Sequence, residues 1–202
     1  MPAIEALVLA AGFSSRMSKN KLLLELAGRK VIQHTLDRVF ASNIDGITLV
    51  VGHQKEQLQQ ELVHARVEIV ENEYFRQGMS TSIKAGIQYL ISRPEKIDAV
   101  LILPGDMPLV KPGTINRLLQ VYADTSSLAV VPVYQGRRGH PVLFNNRLFD
   151  KLLKLSGDTG GREILRKYAD HVCRVEVNDP GIHVDIDTWE DYLAVKRRLG
   201  FR

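Results

Sequence analysis

Five short, almost continuously apolar runs, separated by stretches of helical period, constrain this chain more than any other feature. Residues 4–10, 46–51, 67–70, 98–103 and 128–133 read as strands buried on both faces. Between them, Ile32, Thr35, Leu36, Val39 and Phe40 fall on one helical stripe. Ile83, Ile87, Leu90 and Ile91 form a second, and Ile115, Leu118, Leu119 and Tyr122 a third. Strand and helix alternate through the first 125 or so residues, the pattern of crossover connections. The expected fold class is therefore α/β, a Rossmann-like, mostly parallel sheet with helices on both faces. Such sheets bind ligands at the carboxyl ends of their strands.

After Val133 the pattern changes. A turn-prone Gly136-Arg137-Arg138-Gly139 leads to an apolar run over 141–144, then a helix-like stretch over 146–155. A glycine-rich segment, Ser156 to Gly161, precedes a helix with Ile164, Leu165 and Tyr168 turned inward. The last helix starts near Thr188, where Asp191 three residues on completes a capping box. No internal repeat, low-complexity segment or separating linker interrupts the 202 residues. A chain of this length buries about 70% of its unfolded surface, enough for a core without staples. With 45% hydrophobic residues and 8 prolines, the composition excludes a disordered or fibrous chain. No apolar run is long enough for a membrane span, and the first residues carry no basic, export-type signal. Cys173 is the one cysteine, so no internal disulfide forms, which fits a reducing, cytoplasmic compartment. The net charge of +4 comes from basic residues scattered in pairs, without a stripe. That argues against a nucleic-acid partner and for a small anionic ligand.

Three loops at strand ends hold the candidate chemistry. The first, Leu9 to Lys21, combines small residues with Arg16 and Lys21. Its backbone amides and cations suit phosphate oxygens, although it lacks a Walker A ending and G-x-G-x-x-G. A basic surface loop is the plain alternative. In the second, Asp106 follows the most apolar strand, between Pro104 and Pro108. A carboxylate there is placed to ligate Mg²⁺; the alternative is a turn Asp bonded to local amides. The third carries Asp185 and Asp187, which share a face of an extended segment. Two acids before the helix cap exceed what capping needs, so Asp187 is a second metal candidate, with Asp185 the alternative. His140 reads equally as a ligand contact or a turn histidine. His171 and Cys173, two apart in an expected strand, do not make a zinc site, and Cys173 reads as core.

On these residues the chain resembles the nucleotidyltransferases that act on the molybdenum cofactor, most closely the molybdenum cofactor cytidylyltransferases. Leu9 to Lys21 is similar to their L-A-A-G-x-S-x-R-M-x-x-x-K pattern, and Gly78 to Ile83 to their G-M-S-x-S-L segment. Gly105-Asp106-Met107-Pro108 and Gly139-His140-Pro141 resemble the metal site and the G-H-P turn. Residues 157–162 and 185–191 stand where the family has G-D-x-G-A-R and D-I-D-T-P-E-D. Ser18 departs from the usual Gly, and Trp189 from the usual Pro.

The resemblance implies one nucleotidyltransferase domain over 1–202, with 1–110 holding the nucleotide and 111–202 the acceptor and a second metal ligand. It implies nucleotide contacts from Leu9, Ala10, Ala11, Gly12, Ser14 and Ser15, together with Arg16 and Lys21. Gly78, Ser80 and Ser82 contribute from the second motif, and Pro104 and Gly105 from the third. Lys21, Arg16 and Asp106 are the implied catalytic groups, and Mg²⁺ sits on Asp106 and Asp187. The acceptor, molybdopterin or molybdenum cofactor, falls to His140, Asp158 and Gly160. Ala10-Ala11, where related guanylyltransferases carry L-A-G-G, implies CTP over GTP. A receiving molybdoenzyme or its chaperone is an implied partner.

Overall fold

The computed structural model describes residues 2–12, 17, 20–52, 55–62, 65–125 and 127–200. Strand β1 (Ile4–Ala10) is followed by a small hairpin of β2 (Glu25–Leu26) and β3 (Arg29–Lys30), then helix α1 (Val31–Phe40). Next come β4 (Gly46–Val51), α2 (Lys55–Glu61), β5 (Glu68–Glu71), α3 (Met79–Ser92), β6 (Ala99–Pro104) and α4 (Pro112–Thr125). The remainder runs through β7 (Ala129–Tyr134), β8 (Arg137–Arg138), β9 (Val142–Asn145), α5 (Phe149–Leu152), α6 (Arg162–Lys167), β10 (Val172–Glu176) and α7 (Trp189–Arg198).

Among the described residues the main sheet has the order β10-β7-β9-β6-β1-β4-β5, with β8 paired to β7. The β1, β4, β5 and β6 ladders and the β7–β10 ladder are parallel, whereas β9 runs antiparallel to both β6 and β7. One sheet thus continues from the first parallel strands into the later ones across the β6–β9 ladder.

Period-two alternation assigns the side chains to two layers. Ala6, Val8, Leu101 and Leu103 face the layer containing Ile32, Leu36, Ile115 and Leu118. Leu7, Val100 and Ile102 face the layer containing Ile83, Ile87, Phe149 and Ile164. The α3 contact is close: a Cβ at Gly86 would meet Leu7 Cδ1 at 2.2 Å.

Several local expectations differ from the structure. Phe40 and Ile91 are exposed, because each follows a buried residue by one position, about 100° around its helix. The expected 146–155 helix is a 3-10 turn over Asn146–Leu148 followed by the short α5. Asn145 caps that turn, accepting from Arg147 N–H at 2.9 Å, and stops β9 from running on. His171 lies in a 3-10 turn rather than a strand, while Cys173 is in β10 and packs against the core. Helix α2, with Leu58 as its one buried residue, has too little apolar period to announce itself. The Thr188–Asp191 capping box is present. No helix is long and apolar enough to cross a membrane.

Candidate active site

Register places three strand ends together. Leu9 pairs with Pro104 and Ala10 with Val51, so the carboxyl ends of β1, β4 and β6 form one rim. Ala10 and Ala11 are buried there, and Gly12 is exposed beyond them. Gly105 N–H donates to the Leu9 carbonyl at 2.8 Å, and Thr35 Oγ1 donates to the Gly105 carbonyl at 2.8 Å. A Cβ on Gly105 would stand 3.0 Å from that Leu9 oxygen, tighter than an ordinary van der Waals contact. These bonds hold Asp106 at the rim.

The third loop reaches the same place through one backbone bond. Ile186 N–H donates to the Asp106 carbonyl at 3.1 Å, and Ile186 itself is buried. Asp185 and Asp187 flank it, Asp185 exposed and Asp187 half-buried. Asp191 anchors the segment, accepting from Thr188 N–H at 2.8 Å. The hydrogen bond from the Thr188 hydroxyl pulls the Asp191 pKa down.

Lys21 joins the two carboxylates. Its ammonium contacts Asp106 Oδ2 and donates to Asp187 Oδ1 at 2.7 Å. Burial disfavours the ammonium, but Asp106 and Asp187 outweigh it, and the Lys21 pKa is raised. Burial raises the Asp106 pKa against the opposing effect of Lys21, with Asp185 adding repulsion.

Asp106 Oδ1 is buried and has no hydrogen-bond partner. An orphaned carboxylate oxygen beside a second carboxylate is a hard-oxygen donor set, and it fits a divalent cation of the Mg²⁺ type. The described residues bring no group of three His, Cys, Asp or Glu side chains together for a metal. Any remaining ligands would come from substrate oxygens, backbone or water, as is usual for Mg²⁺.

The expected nucleotide and acceptor residues divide. Ser82 is buried and its Oγ accepts from Asn72 Nδ2 at 3.0 Å, so its hydroxyl is engaged within the fold. Ser80 is 1% exposed, and its Oγ has no partner. Gly78 starts α3 with φ of 106°, which favours glycine. Asp158 accepts from Met79 N–H at 3.1 Å and is thus turned toward α3.

His140 precedes a cis proline bond, and its N–H donates to the Ile182 carbonyl at 3.0 Å. The residue keeps an exposed edge, yet desolvation of the ring lowers its pKa. Asp185 opposes that shift, and Arg162, a neighbour the sequence reading left unassigned, reinforces it. Arg162 could have been found as the cation closing the glycine-rich segment. Ser14, Ser15 and Arg16 lie outside the described residues.

Residues 6–172 match the family described as the MobA-like NTP transferase domain. Over 201 residues the chain is 27% identical to the molybdenum cofactor cytidylyltransferase of Escherichia coli (strain K12), covering 98% of both proteins. It is 35% identical over 124 residues to the bifunctional protein GlmU of Francisella philomiragia, which is 60% of this chain and 26% of that protein. Among solved structures, Rv0371c of Mycobacterium tuberculosis H37Rv aligns with a TM-score of 0.84 at 27% identity, covering 97% of this chain and 98% of that one. Mth528, a nucleotidyl transferase from Methanothermobacter, aligns at 0.82 and 25% identity, covering 96% of each chain. With the family match extending over most of the chain, this protein belongs to the MobA-like NTP transferase family of nucleotidyltransferases.

Proposed function

We propose that this chain transfers CMP from CTP to the terminal phosphate of molybdopterin or the molybdenum cofactor. Pyrophosphate leaves and the cytosine dinucleotide form of the cofactor results. The observation that carries the reading is the Lys21–Asp106–Asp187 constellation, in which one ammonium meets two carboxylates. The likeness to the E. coli cytidylyltransferase along 98% of both chains supports the choice of substrates.

The acceptor phosphate is already ionised at neutral pH, so no general base is required to activate it. The chain's task is positioning and charge neutralisation. Lys21, made more basic by its two carboxylates, stays protonated and offers positive charge to the triphosphate. Arg16 and the amides after β1 complete the phosphate cradle. Asp106 and Asp187 would hold Mg²⁺, which when bound supplies charge stabilisation to the phosphate oxygens. A manganese complex of the M. tuberculosis relative, 26% identical, supports a divalent cation here. In this reading Gly78 and Ser80 serve the nucleotide, and His140 and Gly160 the acceptor.

The test is pyrophosphate release from each of the four nucleoside triphosphates with Mg²⁺, with and without molybdopterin. Release with CTP that depends on molybdopterin is expected. Release with GTP instead would move the reading to guanylyl transfer. Release only with another phosphorylated small molecule would replace the acceptor. Tight binding without any release would make the protein a carrier.

A further inference from the structure

We propose that the Gly157–Asp158 turn is a clamp that sets nucleotide affinity, with Asp158 a positioning residue acting on the Gly78–Ser80 segment through the first amides of α3. The inference rests on the reading of that segment as nucleotide-contacting, and it gives Asp158 a role on the nucleotide side of the site.

Helix α3 has no cap of its own. Its N-cap residue is Gly78, which has no side chain to accept a hydrogen bond. The first four N–H groups of a helix lack intrahelical partners. Here two of them are satisfied from far along the chain: Met79 N–H donates to Asp158 Oδ1 at 3.1 Å, and Ser80 N–H donates to the Gly157 carbonyl at 3.1 Å. The two backbones also touch. A Cβ on Gly78 would lie 2.5 Å from Gly157 C and 2.8 Å from Asp158 N, and one on Gly160 would lie 3.4 Å from Met79 Sδ. Ser80 Oγ has no hydrogen-bond partner, so backbone bonds rather than its hydroxyl fix its place.

A carboxylate that accepts a helix's first amide also complements the positive end of the helix dipole. Without it, the Gly78–Ser80 segment would hold its binding conformation for only part of the time. Apparent affinity then falls by that fraction. The chemistry at Lys21 and Asp106 is untouched, so binding weakens while turnover of bound substrate persists.

The experiment measures CTP binding with Mg²⁺ by calorimetry, and KM and kcat by pyrophosphate release, for wild type, Asp158→Ala and Asp158→Asn. Melting temperatures establish that both variants are folded. Asp158→Ala is expected to weaken CTP by about fivefold to tenfold in Kd and KM, the loss typical of a helix cap, with kcat held within about twofold. Asp158→Asn, whose carbonyl accepts the same N–H, is expected to retain wild-type CTP affinity within about twofold. Unchanged CTP affinity in Asp158→Ala, with the loss appearing in the molybdopterin KM, would overturn the clamp and leave the functional reading standing. A wild type that binds none of the four triphosphates would overturn both.

Discussion

Lys21 and Asp187, 166 positions apart, are joined by a 2.7 Å hydrogen bond while the same ammonium contacts Asp106. Among the described residues, one ammonium thus stands between two carboxylates at the rim of the parallel strands. Asp106 nevertheless keeps one buried oxygen without a partner.

Replacing Asp106 with Ala is expected to abolish most pyrophosphate release while circular dichroism stays that of the wild type. The loss of one preorganised electrostatic group costs about 3 kcal/mol, roughly a hundredfold in rate, and a metal ligand should cost more. Near-wild-type turnover would refute the metal assignment.

Lys21→Met tests the ammonium directly. It leaves Asp106 buried without its counter-charge, a change of the kind that costs about 3–5 kcal/mol. The melting temperature without divalent cation should fall. Millimolar Mg²⁺ or Mn²⁺ should raise it more in the variant than in the wild type, because the cation replaces the missing charge. If added cation shifts both proteins equally, Asp106 is not its ligand.

Glu5 predicts a pH dependence of stability. It is 5% exposed on β1, where Thr48 Oγ1 donates to it at 3.2 Å and Arg93 Nη1 at 3.1 Å. Burial raises its pKa above 4.5, against the opposing pull of Arg93 and Thr48. The folded state therefore holds this proton more tightly than the unfolded chain does. Its contribution is complete below about pH 4.5 and disappears as pH rises through the higher folded value. Urea midpoints of wild type minus Glu5→Gln, measured from pH 4 upward, should decline over that window; a flat difference would contradict the assignment.

Gly86→Ala should destabilise the fold by about 1–3 kcal/mol despite the better helix propensity of alanine. The added methyl meets Leu7 Cδ1 at 2.2 Å in the core between α3 and β1. Chemical denaturation would register the loss, and an unchanged midpoint would mean that Leu7 can move aside.

Much of the architecture was legible because buried parallel strands are continuous apolar runs. The bounds read for β1 and β4 coincide with the observed Ile4–Ala10 and Gly46–Val51. Where apolar period is weak, as in α2, or where a side chain such as Asn145 competes with the backbone, local reading missed or overextended an element. Antiparallel β9, which joins β6 to β7 in one sheet, left no mark in the sequence that distinguishes it from a parallel strand. At the site, Lys21, Asp106 and Asp187 stood out as charged residues at strand ends and before a cap. Ser82 looked the same on paper as Ser80, yet its hydroxyl is tied to Asn72.

The sequence by itself determined the order of buried strands and helices and which residue types occupy the loops after them, because periodicity and turn chemistry are local. Only the tertiary structure decided which loops meet. The Lys21 bridge to Asp187, the Ile186 bond that delivers Asp187 to Asp106, and the Asp158 contact with α3 all join distant segments. Such contacts depend on sheet register and helix packing, which no local pattern encodes.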